Sequence, residues 1–382
     1  MHATEPSPNG GQDDLVHWLR LQLTPGVGPV TGRALLSRFG LPEHIFSAGP
    51  AALRAVAGAA LAQCLSQPPE AELSRQIDLT LTWLARPGNA VLTLADTAYP
   101  PGLLNIADPP LLLYIKGRPG LLGAAALAVV GSRNASVQGL ANAEHFSRDL
   151  SLAGLCIISG LAAGIDTAAH QGGLGGPGST IAVIGTGTDI VYPRRNRDLA
   201  HRIAEQGCLV SEYALGTPAL PANFPRRNRL ISGLALGVLV IEAAARSGSL
   251  ITARLAGDQG REVFAVPGSI HSALAKGCHI LIKQGAKLVE SADDVLQELP
   301  AWRMNAGAGV AAPEGDARPP AASVPGEHAA LLAALAYDPV GADLLAERAN
   351  LSAAELMAQL LALELAGLVE RLPGGLFQRC AP

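Results

Sequence analysis

Apolar and polar positions follow different rhythms along the chain. From about residue 12 to 66 they read as short helices. Asp13 or Asp14 is placed to cap the first of these, which runs through Gln22. Pro25-Gly26-Val27-Gly28-Pro29 follows, and then an apolar helix ending near Phe39-Gly40, a helix–hairpin–helix-like pattern. Such a hairpin offers backbone N–H groups to a phosphate; it is also a tight way to pack two helices. A longer helix is expected from Pro68 to Arg86, stopped by Pro87-Gly88-Asn89.

There the period changes. Short β-branched or apolar runs alternate with helical stretches: Ala90–Leu94, Leu111–Ile115, Ala126–Val130, Leu155–Ile158, Thr180–Ile184, Cys208–Val210, Gly237–Ile241 and Glu262–Val266. Near-continuous apolar runs of this length mark strands buried on both faces. Their alternation with helices predicts an α/β chain with a doubly wound, largely parallel Rossmann-like sheet. Asn305 to Pro325 is rich in Ala, Gly and Pro and reads as a linker. From about Gly326 three amphipathic helices precede Leu368–Leu372, a Pro373-Gly374-Gly375 turn and Leu376–Arg379, a winged-helix pattern. The expected division is a disordered tail at 1–11, a helical module at 12–67, the Rossmann-like domain at 68–304, the linker at 305–325 and the winged helix at 326–382.

Composition narrows the class. At 49% apolar and 16% charged residues, a largely disordered chain is excluded. The longest apolar run, Leu230 to Ile241, has twelve residues and contains a Ser and two Gly, short of the about 20 that a membrane span needs. Met1 to Asp14 is polar and acidic, unlike a signal peptide, so a cytoplasmic protein is expected. The five cysteines lie far apart without a C-x-x-C pair, and read as inert thiols of a reducing compartment. The net charge of −4 hides an asymmetry: Lys116 to Glu290 carries +6 and the remainder −10. A basic middle in an acidic protein steers an anionic partner through its local field.

The candidate chemistry lies in the loops after the strands. Ala128-Val129-Val130 runs into Gly131-Ser132-Arg133, with a helix from about Val137. Ile157-Ile158 leads to Ser159-Gly160-Leu161-Ala162-Ala163-Gly164-Ile165-Asp166 and a helix carrying His170, and Val183-Ile184 leads to Gly185-Thr186-Gly187. Glycine-rich loops at the carboxyl ends of parallel strands line one crevice, where open α/β sheets bind ligands. The sharpest feature is an echo. Tyr192-Pro193-Arg194-Arg195-Asn196-Arg197 is matched by Phe224-Pro225-Arg226-Arg227-Asn228-Arg229. Each Pro suits the first turn of a helix, whose N-terminus, guanidiniums and amide then face a phosphate, with the aromatic free to stack on a base. A single copy would favour a solvated, charged helix start with its aromatic in the core; two copies after glycine-rich strands favour a polyanion site. Ser247-Gly248-Ser249 adds a further helix start, as ready to cap as to meet an anion.

Several chemistries are missing. There is no G-x-x-x-x-G-K-[ST], and Gly185-Thr186-Gly187 lacks the last Gly of a dinucleotide fingerprint. No H-E-x-x-H or G-x-S-x-G occurs. Asp166 and His170, four apart on one helix, are either an acid–base pair or a packing and capping pair. No nucleophile with an evident base is found, and no metal or cofactor is expected.

Taken in order, these loops resemble the DprA/Smf family. The resemblance runs through Val130 to Arg133, Ser159 to Asp166 with His170, Gly185 to Pro193, Asn223 to Leu234, Glu242-Ala243, Ser247 to Ala253 and Val263 to Gly268. It is strong over roughly residues 85–300 and looser in the flanks, where it implies a sterile-alpha-motif-like or helix–hairpin–helix module and a winged helix. It implies a cytoplasmic protein that binds and protects single-stranded DNA in natural transformation, helps load the RecA recombinase, forms a homodimer and catalyses no reaction. By motif, Arg133 and Arg194 are the leading DNA contacts, with Asn228 and Arg229 lining or bracing the pocket; family members often carry Lys at the place of Arg194. One departure is the would-be recognition helix, Ser352 to Leu365, which has no Lys or Arg but carries Glu355 and Glu364. A duplex-reading helix needs basic or amide contacts, so a role in protein contact is expected instead. The competing reading is a nucleotide hydrolase of the phosphoribohydrolase type. Its P-G-G-x-G-T-x-x-E signature is replaced here by Arg246-Ser247-Gly248-Ser249-Leu250-Ile251-Thr252, without the Glu.

Overall fold

The structure, a computed structural model, describes residues 10–299, 328–335 and 339–380. The first nine residues of the expected tail and the expected linker lie outside the described residues. Five helices open the chain: α1 (Gly10–Leu23), α2 (Pro29–Phe39), α3 (Pro42–Ser47), α4 (Pro50–Ser66) and α5 (Ala71–Leu84). Prolines start α2, α3 and α4, where a missing N–H costs no hydrogen bond. Gly40 closes α2 at φ 84°. The first helix begins at Gly10, so Asp13 stands in its first turn rather than at its cap.

The sheet region then runs β1 (Asn89–Thr93), α6 (Pro101–Leu104), β2 (Leu112–Gly117), β3 (Ala126–Val130), α7 (Val137–Leu152), β4 (Cys156–Ser159), α8 (Ile165–Gly173), β5 (Thr180–Val183), α9 (Arg197–Gln206), β6 (Cys208–Ser211), α10 (Asn223–Leu234), β7 (Gly237–Val240), α11 (Ser249–Asp258), β8 (Glu262–Ala265), α12 (Lys276–Lys283), β9 (Lys287–Leu288) and α13 (Ala292–Gln297). The strand order is β1-β2-β6-β5-β4-β3-β7-β8-β9. β2 is antiparallel to both β1 and β6, and the remaining pairings are parallel. From β3 the chain builds β4, β5 and β6 to one side, then returns to place β7 and β8 on the other. The order therefore reverses beside β3, and a crevice opens there at the strand ends.

Alternation along β3 sorts its side chains between two buried layers. Ala126, Ala128 and Val130 pack with α10, α11 and α12; Leu127 and Val129 pack with α7, α8 and α13. Because both layers are apolar, the strand reads as one continuous run. β2, next to the edge strand β1, is shared differently. Leu112 and Tyr114 join Trp18, Leu35, Leu53 and Trp83 in the core of the helical module. A Cβ on Gly32 of α2 would lie 2.4 Å from the side chain of Leu111, just before β2, so glycine lets that helix seat closely there without displacing the leucine.

The C-terminal module contains α14 (Ala329–Leu335), β10 (Val340–Gly341), α15 (Ala342–Ala349), α16 (Ala353–Leu365), β11 (Val369–Leu372) and β12 (Leu376–Arg379). Leu331, Leu335, Leu345, Leu356, Leu360 and Phe377 form its own core. Ser352 and Glu355 close a capping box on α16. The outward face of that helix carries Met357, Leu361 and Leu365, the last 84% exposed. Glu370 of β11 reaches the sheet region, where its carboxylate accepts from the N–H of Val137 at 3.1 Å.

Candidate nucleic-acid interface

The loops after β3, β4, β5 and β7 meet at the crevice, and their glycines seat the loops on one another. A Cβ on Gly164 (φ 76°) would come within 2.2 Å of the Ser132 carbonyl oxygen, and one on Gly131 within 2.6 Å of Ile165. One on Gly160 would strike the Arg227 guanidinium at 2.6 Å, and one on Gly185 would press on the Phe224 ring at 3.1 Å. Gly131, Gly160, Gly164 and Gly185 thus serve contacts inside the protein. Gly248 alone among the candidate glycines faces open space. Ser132 turns its hydroxyl back on its own loop, accepting from Asn134 N–H at 3.2 Å. Ser159, expected at the ligand, is fully buried and donates to the Val129 carbonyl at 2.7 Å, tying β4 to β3.

Asp166 and His170 hold the loop after β4. The Asp166 carboxylate accepts from Gly160 N–H at 3.1 Å and Ala162 N–H at 3.3 Å. His170 Nε2 accepts from Leu161 N–H at 3.3 Å, and Nδ1 lies 2.7 Å from Thr180 Oγ1. That hydroxyl donates to the Ile157 carbonyl, so the ring is neutral with its proton on Nδ1. Complete burial, with help from Arg227, lowers the His170 pKa from 6.5 to about 3. The packing and capping alternative is therefore the one the structure supports, and no acid–base pair faces the crevice.

The two Arg-Arg-Asn-Arg segments fold differently. Residues 194–196 make a 3₁₀ turn after a cis Tyr192–Pro193 bond, and α9 follows; residues 226–229 lie within α10. Burial is consequently inverted. In the first copy Asn196 is buried and donates to the carbonyls of Leu161 (2.9 Å) and Ala162 (3.2 Å), while Arg194, Arg195 and Arg197 are exposed. In the second, Arg227 and Arg229 are buried and Arg226 is exposed. The Arg227 guanidinium donates to the Gly160 carbonyl at 2.7 Å and to that of Val183, binding together the ends of β4 and β5. Burial brings its pKa down to about 10, leaving it charged at neutral pH, with Asp166 as the compensating charge. Arg229 points away from the crevice. It pairs with the buried Glu212, and its Nε lies 3.0 Å from Asp108. Asn196, Arg227 and Arg229 are thus corrected from open ligand contacts to scaffold, because each is buried and holds groups of the protein, with Arg227 forming part of the cleft wall.

What remains open is a cleft of about 560 Å³, lined by Arg133, Tyr192, Phe224, Asn228, Ser247 and Gly248 among others. The Arg133 guanidinium stands 5.9 Å from the Phe224 ring centroid, and Phe224 lies 5.4 Å from Tyr192 at a 38° tilt. Tyr192 is 48% exposed. Ser249 is buried beside the opening, its hydroxyl 2.7 Å from that of Ser247. Arg194 and Arg197 line a neighbouring cleft; Arg195 and Arg226 line neither. Among the described residues, none of Arg133, Arg194, Arg195, Arg197 and Arg226 is within ion-pair distance of a carboxylate.

One governing residue entered the sequence comparison only as part of the resemblance, without a role. Glu242, two residues past the end of β7, accepts from Ser136 N–H (3.0 Å) and Ser136 Oγ (2.6 Å), and a Cβ on Gly139 would meet its carboxylate. It occupies the N-terminus of α7, the place where a dinucleotide fold holds its pyrophosphate. The available signal was a carboxylate ending an apolar strand at the switch point. The anion-binding capacity of the crevice therefore falls to Arg133, with the buried Arg227 in the wall behind it, and the aromatic neighbours offer ring faces for stacking.

Residues 90–300 match the family DNA recombination-mediator protein A, residues 315–375 the DprA winged helix domain, and residues 12–74 the DprA-like N-terminal HHH domain. The chain is 44% identical to protein Smf of Escherichia coli over 306 residues, 79% of this chain and 80% of that protein. It is similar to the crystal structure of DNA processing protein A from Streptococcus pneumoniae (TM-score 0.64, 38% identity, covering 78% of this chain and 99% of that one). It is also similar to a structure of DNA processing protein A from Helicobacter pylori that addresses single-stranded DNA binding (TM-score 0.51, 28% identity, covering 55% and 96%).

Proposed function

This chain belongs to the DNA recombination-mediator protein A family, and on that premise we propose that it binds single-stranded DNA in the cleft beside β3. In this reading it is a DNA-processing protein of natural transformation and recombination. It protects the incoming strand, works as a cytoplasmic homodimer and helps to load RecA. The relatives named for DNA processing and the Helicobacter pylori protein's single-stranded DNA binding support it. So does the described chain, in which no helix is long and apolar enough to cross a membrane.

The observation that carries the reading is Arg133, a cation without a carboxylate partner beside Phe224 and the exposed Tyr192. A phosphate meets the guanidinium while bases stack on the aromatic surface, a contact worth about 1–3 kcal/mol per base and tolerant of sequence. Duplex DNA hides its base faces and is disfavoured. The reading contains no catalytic step, cofactor or metal. Asp166, in the cleft wall, accepts from two backbone N–H groups, His170 is held between Leu161 N–H and the Thr180 hydroxyl, and the Glu242 carboxylate accepts from Ser136. The hydrolase alternative needs a free carboxylate at the cleft, and release of a free base from a nucleoside monophosphate would restore it.

The test is fluorescence anisotropy of labelled oligo-dT with wild type and with the Arg133→Ala/Arg194→Ala double variant, over a salt series, with duplex as competitor. Salt-sensitive binding that is lost in the double variant, with duplex competing poorly, is expected. Absence of wild-type binding at low salt would sink the reading.

A further inference from the structure

We infer that the bound strand continues past the first cleft, across the Val191–Arg194 segment, into a second groove where Lys116, Arg194 and Arg197 hold its phosphodiester backbone; this rests on the single-stranded DNA reading above. The second groove has a volume of about 720 Å³ and lies between the end of β2, which contributes Lys116, and α9, which contributes Arg197 and His201. Lys116 is half-buried and both arginines are exposed, and none of the three is within ion-pair distance of a carboxylate. Two acids stand on the same walls. Asp189 is already satisfied, both carboxylate oxygens lying 3.0 Å from Gly216 N–H; Glu205 is the other. Three permanent cations against these two leave the groove a surplus of positive charge.

The groove is built without a ligand. The end of β2 is fastened to the turn between α9 and β6 by Arg118 N–H to the Gly207 carbonyl (2.8 Å) and Arg118 Nη1 to the Gln206 carbonyl (3.1 Å). Gly117, at φ 114°, permits that approach, since a Cβ there would lie 2.5 Å from the Gly207 oxygen. The spacing between Lys116 and α9 is therefore set by the backbone. The two clefts are also neighbours: Val191 lines the second and Tyr192, the next residue, lines the first. Successive Cα atoms are about 3.8 Å apart, so one chain segment separates them. Among the described residues no Phe, Tyr or Trp lines the second groove, whose cations suit it to phosphates more than to bases. The first cleft stacks bases and the second anchors the backbone that follows.

Anisotropy with a short oligo-dT of about six nucleotides and a long one of about twenty separates the two regions, because single-strand sites occupy about 4–16 nucleotides. Wild type, Lys116→Ala/Arg197→Ala and Arg133→Ala are titrated at several salt concentrations, with unfolding curves to confirm that each variant is folded. The Lys116/Arg197 double variant is expected to bind the short strand as wild type does. It should bind the long strand roughly tenfold more weakly, with the salt slope reduced by about 1.4, or 0.7 per phosphate lost. Arg133→Ala weakens both lengths. Equal binding by the double variant and wild type at both lengths overturns the inference, as does an equal loss at both. Failure of the wild type to bind either strand overturns the underlying DNA reading instead.

Discussion

Arg227 and Arg133 carry the same charge at the same crevice, and their surroundings give them opposite duties. Arg227 is sealed in and shared between the carbonyls of Gly160 and Val183, with Asp166 as its counter-charge. Replacing it with Met strands two strand-end carbonyls and a buried carboxylate, and removing one member of a buried charged set typically loses about 3–5 kcal/mol. Arg133 is exposed and unpaired, so Arg133→Ala is expected to leave stability within about 0.5 kcal/mol while reducing single-strand affinity. Urea unfolding of both variants reads the difference, and a wild-type midpoint for Arg227→Met would remove its structural role. The repeat that flags these residues was visible in the chain; the sorting of its arginines was not. Identical tetrapeptides sit in a 3₁₀ turn in one copy and inside a helix in the other, so equivalent side chains leave the backbone in different directions. Burial depends on what the neighbouring loops present, and that is settled by contacts between residues far apart in sequence.

At the level of elements, eight strands of the large sheet were legible as short apolar runs, five of them, β3 to β7, because they are buried throughout. β9 was not, since Lys287 and Leu288 are exposed and pair over two residues only. β10 is equally short, and its identity comes from pairing with β12. The helix α8 shows how an element tied to a loop acquires a pH response. The His170 pKa is lowered to about 3 from 6.5, so the folded state favours the neutral ring. Its contribution is complete above pH 6.5 and is lost as pH falls from there toward 3, up to about 5 kcal/mol if the whole shift is realised. Burial raises the carboxyl pKa of Asp166 and of Glu212, so these two act in the other sense, losing stability as pH rises through their folded values. The histidine is therefore isolated by difference. His170→Gln, which cannot titrate, is expected to melt lower than wild type at pH 7.5, with the gap narrowing as pH falls to 4.5. A gap that stays constant across thermal melts in that range would mean that His170 does not drive the acid sensitivity.

Across the whole molecule, charge is segregated by module. The basic excess sits in the sheet region, whereas residues 326–382 hold seven acidic and three basic residues, a net charge of −4. The fold is that of a winged helix, yet the helix such modules use to read duplex DNA has no Lys or Arg and turns Met357, Leu361 and Leu365 outward. An apolar, acid-flanked helix cannot neutralise phosphates, which supply most of the non-specific affinity for DNA. The same surface is suited to another protein surface. The contact from Glu370 to Val137 N–H brings an additional negative charge to the start of α7, close to the loop that carries Arg133. Removing the module therefore takes away repulsion rather than attraction. Its core is separate from those of the sheet region, so a variant lacking residues 326–382 keeps the packing that shapes both clefts. That variant is expected to bind oligo-dT within about twofold of the full chain at moderate salt and more tightly at low salt, where a nearby like-charged module matters most. Full-length protein with Arg133→Ala/Arg194→Ala should show no residual duplex binding. A several-fold loss of oligo-dT affinity on deletion, or duplex binding that survives the double substitution, would give the module a direct part in holding DNA. It would also require a basic contact that its helix α16 does not contain.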